Sequence, residues 1–302
     1  MTTKTGVYFW LTEQEPNGAL HASIKNVWRI AMRYARNPLG LFGLIVIVVI
    51  LLTALLVPYL PVQSPFTQDL PAALQPPGTP GHLLGTDELG RDILSRILWG
   101  SRITLSIIAI VSVIVGPIGI LIGCFSGYYG GWLDVVLMRI TELFLSFPSL
   151  ILALAFVAAL GPNLENSIIA IALTQWPPIA RLARAETLSL RNKDHISAIR
   201  LMGGSSLRIV TQHILPLCVP SVIVRITMNM ATIVLTAAGL GFLGLGAQPP
   251  TPEWGAMVST GRRFMIDSWW VVTMPGLAIL FVSLSFNLMG DALRDALDPK
   301  QE

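Results

Sequence analysis

Charged residues fall along this chain in clumps, and the gaps between the clumps outline its architecture. Between Arg36 and Asp69 lie 32 residues without Asp, Glu, Lys or Arg, and between Arg102 and Asp134 lie 31. Further uncharged stretches run from Leu143 to Leu164 (22 residues), Ile226 to Pro252 (27) and Ser268 to Gly290 (23), with a shorter one from Asn166 to Ala180. About 20 apolar residues in a helix suffice to cross a bilayer core. The pattern predicts an all-α integral membrane protein with six transmembrane helices.

The first run, Leu39 to Val57, follows Lys25, Arg29, Arg33 and Arg36 as a secretion signal would. It is longer than the ~7–15 residues of a signal core and leaves through Pro58, Tyr59 and Pro61 instead of a small-residue cleavage site, so it reads as a retained anchor. Sidedness follows from the tendency of Lys and Arg to stay cytoplasmic. With the N-terminus inside, 14 of the 20 basic residues are cytoplasmic, five (Arg91, Arg96, Arg102, Arg262, Arg263) lie outside, and Arg225 falls within the fifth span. Both termini are then cytoplasmic. The map is a cytoplasmic tail over 1–38, a transmembrane anchor over 39–60 and an extracytoplasmic segment over 61–102. A transmembrane core over 103–290 follows, containing a cytoplasmic loop over 181–217, and a cytoplasmic tail over 291–302 ends it. The outer segment holds Gln75-Pro76-Pro77-Gly78-Thr79-Pro80, which cannot be helical because proline fixes φ and lacks a donor.

Composition agrees: 53% of residues are apolar and 12% charged, against ~25% charged in an average soluble domain. The net charge of +3 is scattered among apolar segments and not gathered on one soluble face, so nucleic acid is excluded as a partner. Cys124 and Cys218 lie far apart in embedded segments and indicate neither a disulfide framework nor a metal pair. None of the four lysines follows a glycine, so a G-x-x-x-x-G-K-[ST] phosphate loop is impossible here. The four histidines form no H-E-x-x-H helix, and no metal site or catalytic residue is expected. Within the spans only Glu142 and Arg225 are charged, which leaves little for ion coupling. The chain reads as a passageway with no motor of its own. An ion-coupled secondary carrier acting without an ATPase is the competing class.

In the second span Gly119, Gly123 and Gly127 recur every four residues. Small residues on one stripe let helices approach closely in lipid, so these three are read as a packing face. The fifth span ends in Gly239, Gly241, Gly244 and Gly246, a glycine-dense end fit for bending or close packing. In the basic loop Arg181, Arg184 and Arg191 lie on roughly one side of a helix. Asp194 is placed to cap a short helix with Ile196, Ile199 and Met202 as an apolar stripe. Gly203-Gly204 ends it, and Ser205 or Ser206 begins the next. A two-turn apolar stripe in water calls for a partner groove, unless it lies on the membrane or on its own domain.

Here the chain resembles a known family. Ser197-Ala198-Ile199, with Arg200, Met202, Gly203, Gly204 and then Leu215-Pro216, is similar to the EAA loop of ABC importer permeases. Ser197 and Ile199 replace the acidic residue and second alanine of the general motif, and His213 replaces an isoleucine; these departures resemble the peptide/nickel class. The outer stretch Gly85, Thr86, Asp87, Glu88, Leu89, Gly90, Arg91, Asp92 resembles that class. So do Gln248 to Gly255, with Glu253 and Trp254, and Phe286 to Pro299. The resemblance implies a five-helix type I importer core beside the anchor helix, in a bacterial inner membrane. It implies a homologous permease as partner in a heterodimer and two cytoplasmic ATPase domains that bind ATP and Mg. It also implies an extracytoplasmic solute-binding protein that delivers peptides or similar small solutes. The resemblance implies that no cofactor sits on this chain and that residues 197–204 are the ATPase-coupling segment. The Gly85–Asp92 motif is either a local ion-pair brace or a binding-protein dock. Trp254, Trp269 and Trp270 suit an interfacial belt, and Gln248 to Gly255 suits an outer gate.

Overall fold

The structure, a computed structural model, describes residues 19–297. Lys4, Lys300 and the Asp298-Pro299 end of the last motif lie outside the described residues, as do parts of both expected tails. Helices α1 (Ala19–Tyr34) and α2 (Pro38–Leu56) come first. They are followed by α3 (Ile93–Tyr129), α4 (Gly131–Leu145), α5 (Ser149–Leu160), α6 (Leu164–Gln175) and α7 (Pro177–Leu190). Short helices α8 (Asp194–Leu201) and α9 (Ser206–Ile209) lead through a π-turn (Val210–Ile214) into α10 (Leu215–Phe242). Helices α11 (Trp254–Gly261) and α12 (Trp270–Leu297) complete the described chain, which has no β-strand among the described residues.

By length and composition α2, α3, the α9–α10 rod and α12 can each cross a membrane, and α4–α5 makes a fifth crossing if that pair, bent by 91°, counts as one. The expected fourth span falls across α6 and α7, which meet at Trp176 in helical geometry (φ −73°, ψ −31°). Pro177 and Pro178 supply no N–H there, and Glu165 and Arg181 bound the apolar run, so neither half reaches a crossing length.

Two boundaries move because a charge-free run is not the same thing as a helix. Helix α3 starts at Ile93, well before residue 103, because the Asp92 carboxylate accepts the Ser95 N–H at 2.7 Å and caps it. Helix α10 starts at Leu215 with Arg225 inside it, as expected, but it ends at Phe242, with Gly244 (φ +77°) just beyond, although the charge-free run continues to Pro252.

Helix α2 docks on α12, where Gly43 comes so close that a Cβ would lie 2.6 Å from the Ser285 carbonyl oxygen. Among the four single-helix crossings it is the least covered, with 22% of its apolar window buried against 44% for α3. The glycines of α3 face α7: a Cβ would meet Ile179 Cβ at 2.7 Å from Gly119, Ala183 Cβ at 2.6 Å from Gly123 and Thr187 Cβ at 2.8 Å from Gly127. Ile107, Val111 and Val115 of α3, Ile171, Ile179 and Ile233 form the buried centre. Val113, Leu143 and Ile45 stand largely exposed, which suits lipid as the surrounding solvent. One end of the bundle gathers α1, the start of α2, the ends of α3, α7 and α12, and α8–α9; we call it the basic end. The Pro-rich segment, the start of α3 and α11 lie at the opposite end.

Candidate functional site

At the basic end the chain makes an elbow. Asp194 is the first residue of α8, not its cap; Lys193 holds that position and makes no side-chain bond, and the Asp194 carboxylate instead opposes the helix dipole. The helix stops in two hydrogen bonds, Gly203 N–H to the Arg200 carbonyl at 3.1 Å and Gly204 N–H to the Ile199 carbonyl at 3.0 Å. This 5→2 and 6→1 pair needs a left-handed residue, and Gly203 takes φ +84° with open space around it. The Ser205 hydroxyl then accepts the Arg208 N–H and caps α9.

The expected stripe divides between two environments. Ile196 is fully buried and Ile199 packs against the protein's own core, while Met202 is 79% exposed. Leu201 (88% exposed) and Leu207 (57%) join Met202 on an outward apolar surface that spacing alone did not single out. Ser197 is half-buried, and Ala198, Arg200, Gly203 and Pro216 face outward. Gly204 and Leu215 are half-buried, and Leu215 packs on the core. The Arg200 guanidinium also lies over the Tyr128 ring at 5.8 Å.

The elbow is joined to the bundle by a salt bridge and a hydrogen bond. Arg184 Nε and Nη2 donate to both Asp134 oxygens at 2.6 Å, and Arg191 Nη1 donates to the Gly127 carbonyl at 2.9 Å. Of the three arginines expected to face headgroups, only Arg181 is exposed. A cavity of about 470 Å³ opens nearby, lined among others by Glu186, Ser221, Arg225, Met228 and Arg294. Sequence reasoning also missed that Cys124 and Cys218 are brought together: their thiols interact, and the Thr187 hydroxyl lies 3.8 Å from Cys218 Sγ.

At the opposite end the Gly85–Asp92 motif turns inward. Asp87 is 4% exposed; one oxygen accepts the N–H groups of Leu89 and Arg91 at 2.9 Å, and the other accepts Arg91 Nε at 2.7 Å. Arg96 stands 3.5 Å from the same carboxylate and donates to the Pro65 carbonyl at 2.9 Å. The Thr86 hydroxyl accepts the Gln75 N–H, and His82 bonds Asp92 at 3.1 Å. Gly85 and Gly90 both have positive φ, and Gly85 packs beside Trp270. Most of these groups are bonded within the protein itself, although Glu88 Oε2 and Arg96 Nε are buried without a hydrogen-bond partner.

Glu253 caps α11 through the Gly255 and Ala256 N–H groups, both at 2.8 Å. Burial pushes its carboxyl above the ordinary range, and the two N–H bonds pull it partway back. Gln248 bonds the Gly244 and Gly246 carbonyls, folding that turn on itself. Two of the three tryptophans expected in a belt are interior: Trp254 is 2% exposed with its indole N–H on the Ile97 carbonyl, and Trp270 is 8% exposed. Only Trp269 of the three is half exposed.

Comparison with known proteins bears on the family and the fold. Residues 119–302 match the family described as binding-protein-dependent transport system inner membrane component, and residues 24–77 match the N-terminal TM domain of oligopeptide transport permease C. The chain is 44% identical over 264 residues to the probable D,D-dipeptide transport system permease protein DdpC of Escherichia coli (strain K12), covering 87% of this chain and 88% of that one. It is 43% identical over 292 residues to the di/tripeptide transport system permease protein DppC of Pseudomonas aeruginosa, covering 95% of each. Its fold is similar to that of an inward-facing structure of the MetNI methionine ABC transporter (TM-score 0.56, 21% identity, 68% of this chain and 98% of that one). The chain therefore belongs to the binding-protein-dependent transport system inner membrane components: it is a multi-pass, non-catalytic permease subunit of a bacterial ABC importer, not an ion-driven carrier.

Proposed function

We propose that this chain forms half of a translocation path for peptides, paired with a homologous permease, and that the basic end is cytoplasmic and meets an ATPase holding ATP and Mg. Support for the substrate class comes from the dipeptide and di/tripeptide permeases to which it is similar. Support for the coupling role comes from one observation above all: α8 buries Ile196 against its own bundle and turns Leu201 and Met202 outward beside Leu207. Apolar groups bared in this way at a water-facing elbow gain by entering a groove on a partner. The half-buried Ser197 and Ile199 then seat the elbow, and Gly203 sets the angle at which it is presented.

The sixth crossing of this reading is α6–α7, which carries the path from the far end to the elbow. The buried Asp87 network braces the far end, so the binding protein docks on neighbouring exposed groups and not on the motif itself. Met202→Asp is expected to abolish co-purification of the ATPase and peptide-stimulated ATP hydrolysis in proteoliposomes, with the chain still inserted and monodisperse. Normal ATPase recovery with this variant would sink the coupling assignment. Uptake of labelled dipeptides by the intact complex, competed by unlabelled peptides and not by free amino acids, tests the substrate class.

A further inference from the structure

Helix α1 plays no part in this coupling scheme, yet its surface is organised. It rests on α12, and Tyr34 near its end donates to the Gly40 carbonyl at 2.8 Å, fixing it where α2 enters the membrane. Along a 3.6-residue period Ile24, Val27, Trp28, Ala31 and Met32 share one arc. Every member is exposed: Val27 by 66%, Ile24 by 47% and Met32 by 41% among them. Lys25, Arg29 and Arg33, each four residues from the last, form a strip beside that arc, and Arg36 extends it. The described helix contains no acidic residue. At its end a cleft of about 370 Å³ lies between the α1–α2 junction and α12, lined among others by Arg33, Arg36, Asn37 and Ala292, with Asp295 as the one carboxylate.

We propose that α1 is a binding site for anionic phospholipid, lying in the headgroup plane with its apolar arc among the acyl chains and its basic strip on the phosphates. The cleft at its end, lined by Arg33, Arg36 and Asn37 among others, takes a single anionic headgroup. Two features favour lipid over a protein partner. The apolar arc continues into the lipid-facing side of α2, where Leu39 is 62% and Ile45 60% exposed, so both surfaces meet one apolar phase. The flanking charge is of one sign, as an amphipathic helix on an acidic membrane requires.

Hydrogen exchange of the full-length chain with its partner subunits tests this in nanodiscs of phosphatidylcholine alone and of phosphatidylcholine with phosphatidylglycerol. Each basic residue near an anionic surface favours binding by about fivefold, so amides of residues 24–34 should exchange slower by on the order of tenfold or more with phosphatidylglycerol present. Raised salt and the combined Arg29→Gln, Arg33→Gln, Arg36→Gln variant should erase that difference, with exchange in α3 and α12 unchanged to show that the fold survives. Val27→Asp should speed exchange of α1 in both lipids. Equal protection of α1 in the two nanodiscs would overturn the proposal, because the arc is then covered by protein or by acyl chains without regard to charge.

Discussion

Asp87 and Met202 sit at opposite ends of the molecule: one carboxylate is buried between two guanidiniums, while the other side chain stands almost free. The far end is rich in ionisable groups and turns most of their bonding capacity inward, through the Asp87–Arg91–Arg96 and His82–Asp92 contacts, leaving Glu88 Oε2 and Arg96 Nε as buried exceptions. The elbow is short of internal partners and shows apolar atoms outward. A brace needs its strongest interactions satisfied within the chain, because buried unpaired charge is expensive. A contact surface needs them unsatisfied until the partner arrives. Charge density is therefore a poor guide to where this protein meets others; the state of pairing is a better one.

Asp87→Ala attacks the brace most directly. It leaves two buried guanidiniums without their carboxylate, and breaking such a buried pair costs about 3–5 kcal/mol; thermal unfolding of the detergent-solubilised complex should show it. A variant as stable as the parent would mean that water replaces the carboxylate and the network is not a brace. Gly123→Val is next, since its side chain must push α7 off α3, an overpacking cost of about 1–3 kcal/mol. Unchanged melting would show that the two helices separate freely. Gly203→Ala places a Cβ on a left-handed residue at a cost of roughly 1–2 kcal/mol, confined to the elbow. ATP hydrolysis should uncouple from uptake while global melting hardly moves; loss of melting temperature alone would remove the contrast between the two ends.

The smallest effect concerns Glu253, whose folded-state carboxyl is raised by burial. Protonated Glu253 is the form the folded protein prefers, so its contribution is intact below the ordinary carboxylate range and is lost as pH rises through the raised value. Melting of the complex should fall with rising pH more in the parent than in Glu253→Gln. Parallel pH profiles would place the carboxylate in water and not in its buried cap on α11.

Runs without charge fall on the four single-helix crossings and on part of the bent α4–α5 pair, because taking charge into lipid is what they avoid. They misplaced helix ends, since ends are set by single caps such as Asp92 and single left-handed residues such as Gly244, which average hydropathy ignores. The turn at Gly203-Gly204 and the cap at Ser205 were readable because both act on immediate neighbours. What covers a side chain was not readable. Ile199 and Met202 look alike in a three-residue period, yet one packs on the bundle and the other does not. Trp254 failed for the same reason: an indole that suits an interface also fits an interior with a carbonyl to receive its N–H. The meeting of Cys124 with Cys218 needs the approach of α3 and α10, a long-range contact that neither segment announces.

The glycine stripe of α3 has a mechanical consequence. Gly119, Gly123 and Gly127 seat α7 along it, Arg191 fastens α7 to the Gly127 carbonyl, and α8 begins at Asp194 just beyond. If the elbow has the proposed coupling role, a push received there is delivered to two clamped rods at once, not spent in flexing a hinge. With 37 residues at 1.5 Å each, α3 is about 55 Å long, so every degree of tilt at the basic end sweeps the far end through about 1 Å. A few degrees of rocking would displace the far end by several ångströms, the scale on which a gate opens.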